Sequence, residues 1–329
     1  MSFRVFQVDP SPELEPYAVE RATLESSGGS LVLGACETQD QIIERAGGAE
    51  VLWLAWKPTI DRRVLEALPS VRLAIRWGVG FEQIDTQAAT ELGVAVANAP
   101  TYGTDDVAET AAALLLATAR SAGDLHAELR QGGWGGARLG NVHRLRGRTL
   151  GLLGAGRIGA SLGRIAMGLG MHVIAYDVAR PADELRAEGF EPVDLDGLTA
   201  RADVISVHVP AMPSTHHLVD AAFLARCRPG VIIVNTARGR IVDTDALVEA
   251  LHSGHVSAAG LDVFEQEPLP ADAPIRRAPN VVLTPHIAGY SIEAFEDLRL
   301  EMCRTTIDFM TTGWATTIVN PAVRDRLRG

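Results

Sequence analysis

The most constraining feature of this 329-residue chain is the spacing of Gly154, Gly156 and Gly159 in the segment GAGRIG. The apolar run TLGLL stands directly before it and the helical pattern RIGASLGRIAMGLG directly after, so the glycines fall where a strand turns into a helix. At such a junction the first glycine permits the tight turn, the second lets a pyrophosphate approach bare backbone, and the third lets helix and sheet pack closely. Helix amides and dipole then offset the phosphate charge. The next strand pattern, HVIAYD, ends in Asp177, where a carboxylate can accept both hydroxyls of a ribose. A 2'-phosphate there would meet like charge, so the pattern predicts NAD rather than NADP.

Before this junction, the β-branched runs RVFQV, LVLGA, EVLWLAW, VRLAIRW and VAVANAP alternate with the helical patterns QDQIIERA, IDRRVLEAL and DTQAATELG. That rhythm predicts a parallel sheet with helices on its faces. A helical pattern then runs from about Thr104 to Gln131 and is apolar nearly all round at AAALLLATA. A helix without a polar face must be covered on every side, which predicts a crossover between domains and part of an oligomer contact. After Gly132, Gly133, Gly135 and Gly136 a second series begins: TLGLLG, HVIAYD, ADVISVHV, GVIIVNTA, SAAGLDV and NVVLTPH. These predict a doubly wound sheet of six strands. A helical stretch from Ser291 to about Met310 and a short strand, ATTIVN, follow, and periodicity assigns them to neither sheet.

With 47% hydrophobic and 22% charged residues the composition suits a globular protein, and the length predicts two domains. A formal charge of -11 has the wrong sign for binding a nucleic-acid backbone or an anionic membrane, and it requires any anionic substrate to be held by local arginines or backbone amides. The longest apolar stretch, around Ala111 to Ala119, is too short for a bilayer span, and the start MSFRVFQVDP lacks an apolar signal core. Cys36, Cys227 and Cys303 are far apart and form no C-x-x-C pair, which predicts buried thiols in a reducing compartment and a soluble cytoplasmic protein.

Three strand ends carry the chemistry. Arg238 follows GVIIVNTA, Glu267 follows LDVFEQ, and His286 follows NVVLTP. In an open parallel sheet the carboxyl ends of the strands face the ligand crevice, so Arg, Glu and His are predicted to gather beside a nicotinamide. Hydride exchange between NAD and a 2-hydroxy acid needs a proton donor or acceptor at the C2 oxygen and a cation for the carboxylate. An imidazole titrating near neutrality fits His286 for the first role, with Glu267 orienting the ring and favouring its protonated form. A permanently charged, forked guanidinium fits Arg238 for the second. The other histidines read as structural or solvated. His216 with His217, and His252 with His255, show no carboxylate or cysteine pattern, so no metal is expected.

Together with GVGFEQID, NAP, VAETAAALLLA, RLRGRTLGLLGAGRIG, ADVISVHVP, NTARGRIVD, AAGLDVFEQEP and LTPHIAG, in order, these residues make the chain resemble the D-isomer-specific 2-hydroxyacid dehydrogenases. The resemblance implies an α/β protein of two doubly wound parallel-sheet domains. A Rossmann NAD-binding domain, 99–287, would be inserted into a flavodoxin-like substrate domain made of 1–98 and 288–329. It implies Arg238, Glu267 and His286 as catalytic residues, and Gly78, Val79 and Gly80 with Arg238 as substrate contacts. Cofactor contacts would come from Gly154, Gly156, Arg157, Ile158, Gly159, Asp177, Val209, Pro210, Ala237, Asp262, His286 and Gly289. A homodimer is expected through the apolar helix near Ala111 to Ala119, and Trp134 resembles an aromatic that reaches the neighbouring subunit's active site in hydroxypyruvate reductases.

Departures from the pattern bear on substrate. Relatives that take a phosphorylated substrate place basic residues just after the strand EVLWLAW, where this chain has Ala55, Trp56 and Lys57. One cation in place of a cluster favours a small 2-keto acid such as glyoxylate or hydroxypyruvate, or an apolar one, over phosphoglycerate. Formate-oxidising relatives carry glutamine where Glu267 stands, which argues against that activity. A rival reading is an NAD-sensing, corepressor-like protein of the same fold, since fold alone does not fix function.

Overall fold

The computed structural model describes residues 2–12, 15–134 and 142–328. The chain divides into two compact units, residues 1–103 with 291–329, and residues 104–290.

The first unit opens with β1 (Phe3–Gln7), α1 (Ala18–Glu25), β2 (Gly29–Leu33), α2 (Gln39–Arg45), β3 (Val51–Leu54), α3 (Arg62–Ala67), β4 (Leu73–Arg76), α4 (Thr86–Glu91) and β5 (Ala95–Ala97). All pairings in its sheet are parallel, in the order β2-β1-β3-β4-β5, the flavodoxin-like arrangement. The second unit contains α5 (Thr104–Ala119), α6 (Ala122–Arg130), β6 (Thr149–Leu153), α7 (Arg157–Gly168), β7 (His172–Tyr176), α8 (Ala182–Ala187), β8 (Glu191–Pro192), α9 (Leu195–Arg201), β9 (Val204–Val207), α10 (Ala221–Arg226), β10 (Val231–Asn235), α11 (Thr244–Ser253), β11 (Val256–Leu261) and β12 (Val281–Leu283). Its parallel sheet runs β12-β11-β10-β9-β6-β7-β8. Starting from β8, this is the doubly wound order with one strand added, and the order reverses between β6 and β9.

Both faces of each sheet are buried, which is why the strands read as continuous apolar runs rather than alternating ones. The final helix, α12 (Ile292–Thr312), belongs to the first unit and buries Leu298, Met302, Cys303 and Phe309 against its sheet. A forked ion pair, Arg299 Nε to Glu20 Oε1 at 2.6 Å and Nη2 to Oε2 at 2.8 Å, ties it to α1. Glu20 is fully buried, so removing either partner strands a charge, at a cost of about 3–5 kcal/mol.

Three sequence expectations are corrected. The single helix expected from Thr104 to Gln131 is two, because Ser121 adopts φ 48° and Thr118 turns its hydroxyl back onto the Leu114 and Leu115 carbonyls. The expected strand ATTIVN forms only an antiparallel bridge, Ala97 with Ile318. Beyond it the Asn320 side chain replaces the ladder, accepting from the Val96 amide at 2.8 Å and donating to the Val94 carbonyl at 3.0 Å. Among the described residues the second sheet has seven strands, the extra one being the two-residue edge β8, too short and proline-bearing to signal itself.

Helix α5 is covered within its own unit: Ala111, Ala112, Leu114, Leu115 and Ala119 are buried, and Leu114 packs so closely on β11 that a Cβ on Gly260 would stand 2.8 Å from its own Cβ. Its all-round apolarity is therefore largely accounted for without a second subunit. Leu116 is left exposed. Gly135 and Gly136 lie outside the described residues. No helix among the described residues is long and apolar enough to cross a membrane.

Candidate active site

The glycine-rich turn leaves β6 at the point where strand order reverses. Gly154 takes φ 95°, and a Cβ on it would stand 2.8 Å from the Val209 amide nitrogen, which follows β9. A Cβ on Gly159 would stand 2.4 Å from the Gly154 carbonyl oxygen, so the first turn of α7 rests on the loop itself. Gly156, the residue before α7, is different: nothing lies within 4 Å of where its Cβ would be. Two glycines are thus required by protein atoms, and the third leaves an open face at a helix N-terminus. That is the cradle a pyrophosphate fills, and the residues fit a dinucleotide.

Asp177, at the end of β7, faces this turn, but much of its accepting capacity is already used. Oδ2 accepts from the Ala155 amide at 2.7 Å, while Oδ1 accepts from the amides of Ala179 and Arg180 at 2.8 and 3.0 Å. A carboxylate oxygen has about two lone-pair sites, so the remaining capacity lies on Oδ2, and the expected pairing with both ribose hydroxyls narrows to one. Sequence reading missed these backbone donors because they depend on the turn after β7.

At the other end of the crevice, His286 Nδ1 lies 2.6 Å from Glu267 Oε2. Since a carboxylate only accepts, Nδ1 carries the proton and Nε2 is the nitrogen that can exchange one with substrate. Glu267 Oε1 accepts from the Phe264 amide at 2.9 Å. Burial works to raise the Glu267 pKa, but the His286 and Phe264 hydrogen bonds and the nearby charges of His286 and Arg238 outweigh it, and the carboxyl titrates below its ordinary range. His286 adopts φ 54°, a left-handed conformation that a non-glycine residue rarely holds unless its surroundings enforce it.

Asp262 provides that enforcement. It is fully buried at the end of β11, and Oδ1 accepts from the Thr284 hydroxyl at 2.6 Å and the Ile287 amide at 3.0 Å, while Oδ2 accepts from the Ala288 amide at 2.9 Å. The resemblance suggested a place near the nicotinamide; the geometry makes Asp262 first an anchor of the TPHIAG loop. Arg238 is set by Asn235, whose side chain accepts from the Ala237 amide and donates to the Arg238 carbonyl at 2.9 Å. Gly239 then passes so close to the next loop that a Cβ would fall 1.8 Å from the Phe264 carbonyl carbon. Thr284, Asn235 and Gly239 were not singled out from the sequence, where each looks like strand or loop filler.

The histidine reading needs one correction. His217 Nε2 lies 2.7 Å from Glu265 Oε2 and its Nδ1 is 3.9 Å from Asp243 Oδ2, so a carboxylate partner exists where none was expected. The Glu265 hydrogen bond raises the His217 pKa. Among the described residues no group of His, Cys, Asp or Glu could hold a metal ion. His208 donates or accepts at Ser206 Oγ, 2.8 Å away, and desolvation pushes its pKa down to about 4.

In the first unit, Gly78 takes φ 138°, and a Cβ there would stand 2.7 Å from Arg76 Nη1. The turn is pinned by Asn98 Nδ2 donating to the Val79 carbonyl at 2.6 Å and by the Ala99 amide donating to the Gly78 carbonyl at 3.0 Å. The guanidinium of Arg76 lies 4.9 Å from the Trp56 ring centroid. Sequence reading found one cation, Lys57, directly after this strand; Arg76, at the end of β4, adds a guanidinium stacked on the neighbouring Trp56.

Fold and site together define a dinucleotide-dependent oxidoreductase. Residues 112–288 match the family model described as D-isomer specific 2-hydroxyacid dehydrogenase, NAD binding domain. A glyoxylate reductase of Korarchaeum cryptofilum is 41% identical over 257 residues, covering 77% of each chain. A D-3-phosphoglycerate dehydrogenase of Mycobacterium leprae is 44% identical over 246 residues, which are 75% of this chain and 46% of that protein, so the chain spans about half the length of that relative. The crystal structure of a glyoxylate reductase from Paecilomyes thermophila superposes with a TM-score of 0.88 at 30% identity, covering 97% of this chain and 98% of that one. The chain belongs to the D-isomer-specific 2-hydroxyacid dehydrogenases, NAD-dependent oxidoreductases acting on the CH-OH group of 2-hydroxy acids.

Proposed function

We propose that the protein reduces a small 2-keto acid of the glyoxylate or hydroxypyruvate class, or an apolar one, to the D-2-hydroxy acid. The observation that carries the reading is the His286–Glu267 pair at 2.6 Å, on strand ends that also deliver Arg238, within an NAD-binding domain. When bound, NADH supplies the hydride that reaches C2. His286 holds the proton on Nε2 and passes it to the C2 oxygen, Glu267 keeps the ring oriented, and Arg238 pairs with the substrate carboxylate. The Gly78, Val79 and Gly80 turn is proposed as a second carboxylate contact through its amides. Val209, Pro210, Ala237, Asp262 and Gly289 are proposed cofactor contacts alongside Gly154, Gly156, Arg157, Ile158, Gly159 and Asp177.

Domain roles follow in the same reading: the unit 104–290 serves the cofactor and the other unit the substrate. A homodimer is supported by the apolar side chains left exposed at Leu116, Leu129 and Trp134, the last of them 93% exposed. Three free, buried cysteines support a reducing, cytoplasmic location. The sensor reading has no comparable support, since the relatives named above are enzymes.

The test is NADH oxidation with a panel of 2-keto acids, phosphorylated and plain, by the wild type and by His286→Ala. Turnover of a plain keto acid that falls about 100-fold or more in the variant is expected. Tight NADH binding without turnover of any panel member would overturn the reading. Light scattering of the purified protein checks the dimer.

A further inference from the structure

Ala155 is the middle residue of the GAG turn, and both sides of it are held. Its amide donates to Asp177 Oδ2 at 2.7 Å, and its carbonyl accepts from Arg180 Nη1 at 2.8 Å. Arg180 is held in turn: its Nη2 pairs with Glu188 and stands 3.6 Å from Glu184 Oε2. Glu188 also lies 3.3 Å from Arg164 Nη1 on α7, the helix that the turn opens. The chain of contacts therefore closes on itself, from the turn through Asp177 and Arg180 to Glu188 and back to α7.

A turn that binds pyrophosphate through amides works only if those amides already point at the ligand. With Gly154 at φ 95° and open space over Gly156, little in the turn's own side chains fixes the intervening peptides. We propose that Arg180 is a positioning residue for dinucleotide binding, acting through the Ala155 carbonyl to hold the glycine-rich turn in its binding conformation before the cofactor arrives. This rests on dinucleotide binding by the domain and not on the roles proposed for Arg238, Glu267 and His286. An arginine near the strand-end acid can instead serve as the ligand of a 2'-phosphate. Here the guanidinium is committed to a carbonyl and two carboxylates, which favours the positioning role.

The two roles separate in a binding experiment on the full chain. Arg180→Met, Arg180→Lys and Glu188→Gln are titrated with NADH and with NADPH by fluorescence, and hydrogen exchange of the peptide spanning the turn is followed in the cofactor-free protein. Arg180→Met is expected to weaken NADH and NADPH binding by the same factor, about tenfold, and to speed exchange at the turn. Arg180→Lys, which keeps the charge but loses the fork, is expected to recover only part of the affinity. Unchanged NADH affinity and exchange would overturn the proposal. So would a loss confined to NADPH, which would make Arg180 a phosphate ligand. If Arg180→Met fails to fold, Glu188→Gln decides: it leaves the guanidinium in place but loosened, and about a threefold loss for both cofactors is expected, with no loss counting against the proposal.

Discussion

The His286 amide donates to the Asp262 carbonyl at 2.8 Å, while the Asp262 carboxylate gathers the Thr284 hydroxyl and the amides of Ile287 and Ala288 around it. One buried residue thus fixes the backbone on both sides of the proposed acid. Asp262→Asn keeps the shape but turns one acceptor oxygen into a donor facing an existing donor. Loss of about 2–3 kcal/mol of stability in urea unfolding is expected, with a fall in kcat larger than any change in KM for the keto acid. Equal stability in the two proteins would show that the network does not depend on the charge.

Glu267→Gln tests the charge rather than the shape of the other partner. The amide can still accept from Nδ1 of His286 but brings no negative charge to the imidazolium formed or consumed in turnover. A drop in kcat of about 100-fold is expected, with NADH affinity retained. The pH dependence adds a check. Because the Glu267 carboxyl titrates below its ordinary value, its contribution to stability is complete above the usual carboxylate range near 4.5 and is lost only as pH falls through the lower folded value. Acid unfolding of Glu267→Gln should lack that component, and superimposable acid-unfolding curves would refute it.

The cofactor end of the site was legible because its requirements are local: a turn, a missing side chain and a strand-end acid lie within one strand-turn-helix unit. Arg238, Glu267 and His286 were legible for a related reason, since each follows an apolar run and parallel strands all open on the same edge. What the sequence hid was the support behind them. Gly239 and Thr284 act on residues brought close only when β10, β11 and β12 align, and no spacing records that alignment, while Asn235 closes a turn within its own loop that its place at a strand end did not announce. The break at Ser121 and the substitution of Asn320 for a strand were hidden likewise, because a side chain took over a backbone bond that propensity assigns to helix or sheet.

Gly239→Ala follows from one of these hidden contacts. An added methyl carbon would sit 1.8 Å from the Phe264 carbonyl carbon and 2.4 Å from the Glu265 nitrogen, both backbone atoms, so the loop carrying Glu267 must move. Overpacking of this kind costs about 1–3 kcal/mol. The expected signature is a modest loss in thermal stability with a much larger loss of turnover, because Arg238 and Glu267 are forced apart. Activity that falls no further than stability would mean that the contact serves packing alone.

His208 supplies a prediction with a fixed sign. Desolvation lowers its pKa from 6.5 to about 4, so the folded protein holds the ring neutral where the unfolded chain has begun to protonate. Between those values the unfolded state binds more protons, and stability must rise with pH across the window. Put the other way, acidification from neutrality weakens the fold below about pH 6.5, and the loss from this group stops growing near pH 4. His208→Gln removes the titration while keeping an amide that can reach Ser206, which lies 2.8 Å from Nε2. Urea unfolding at about pH 7 and about pH 5 should therefore show a smaller loss of stability in the variant than in the wild type, by up to about 1.4 kcal/mol for each pH unit inside the window. Parallel losses in the two proteins would mean that the ring is solvated well enough to take up its proton in the folded state, and the acid sensitivity would then belong to other groups.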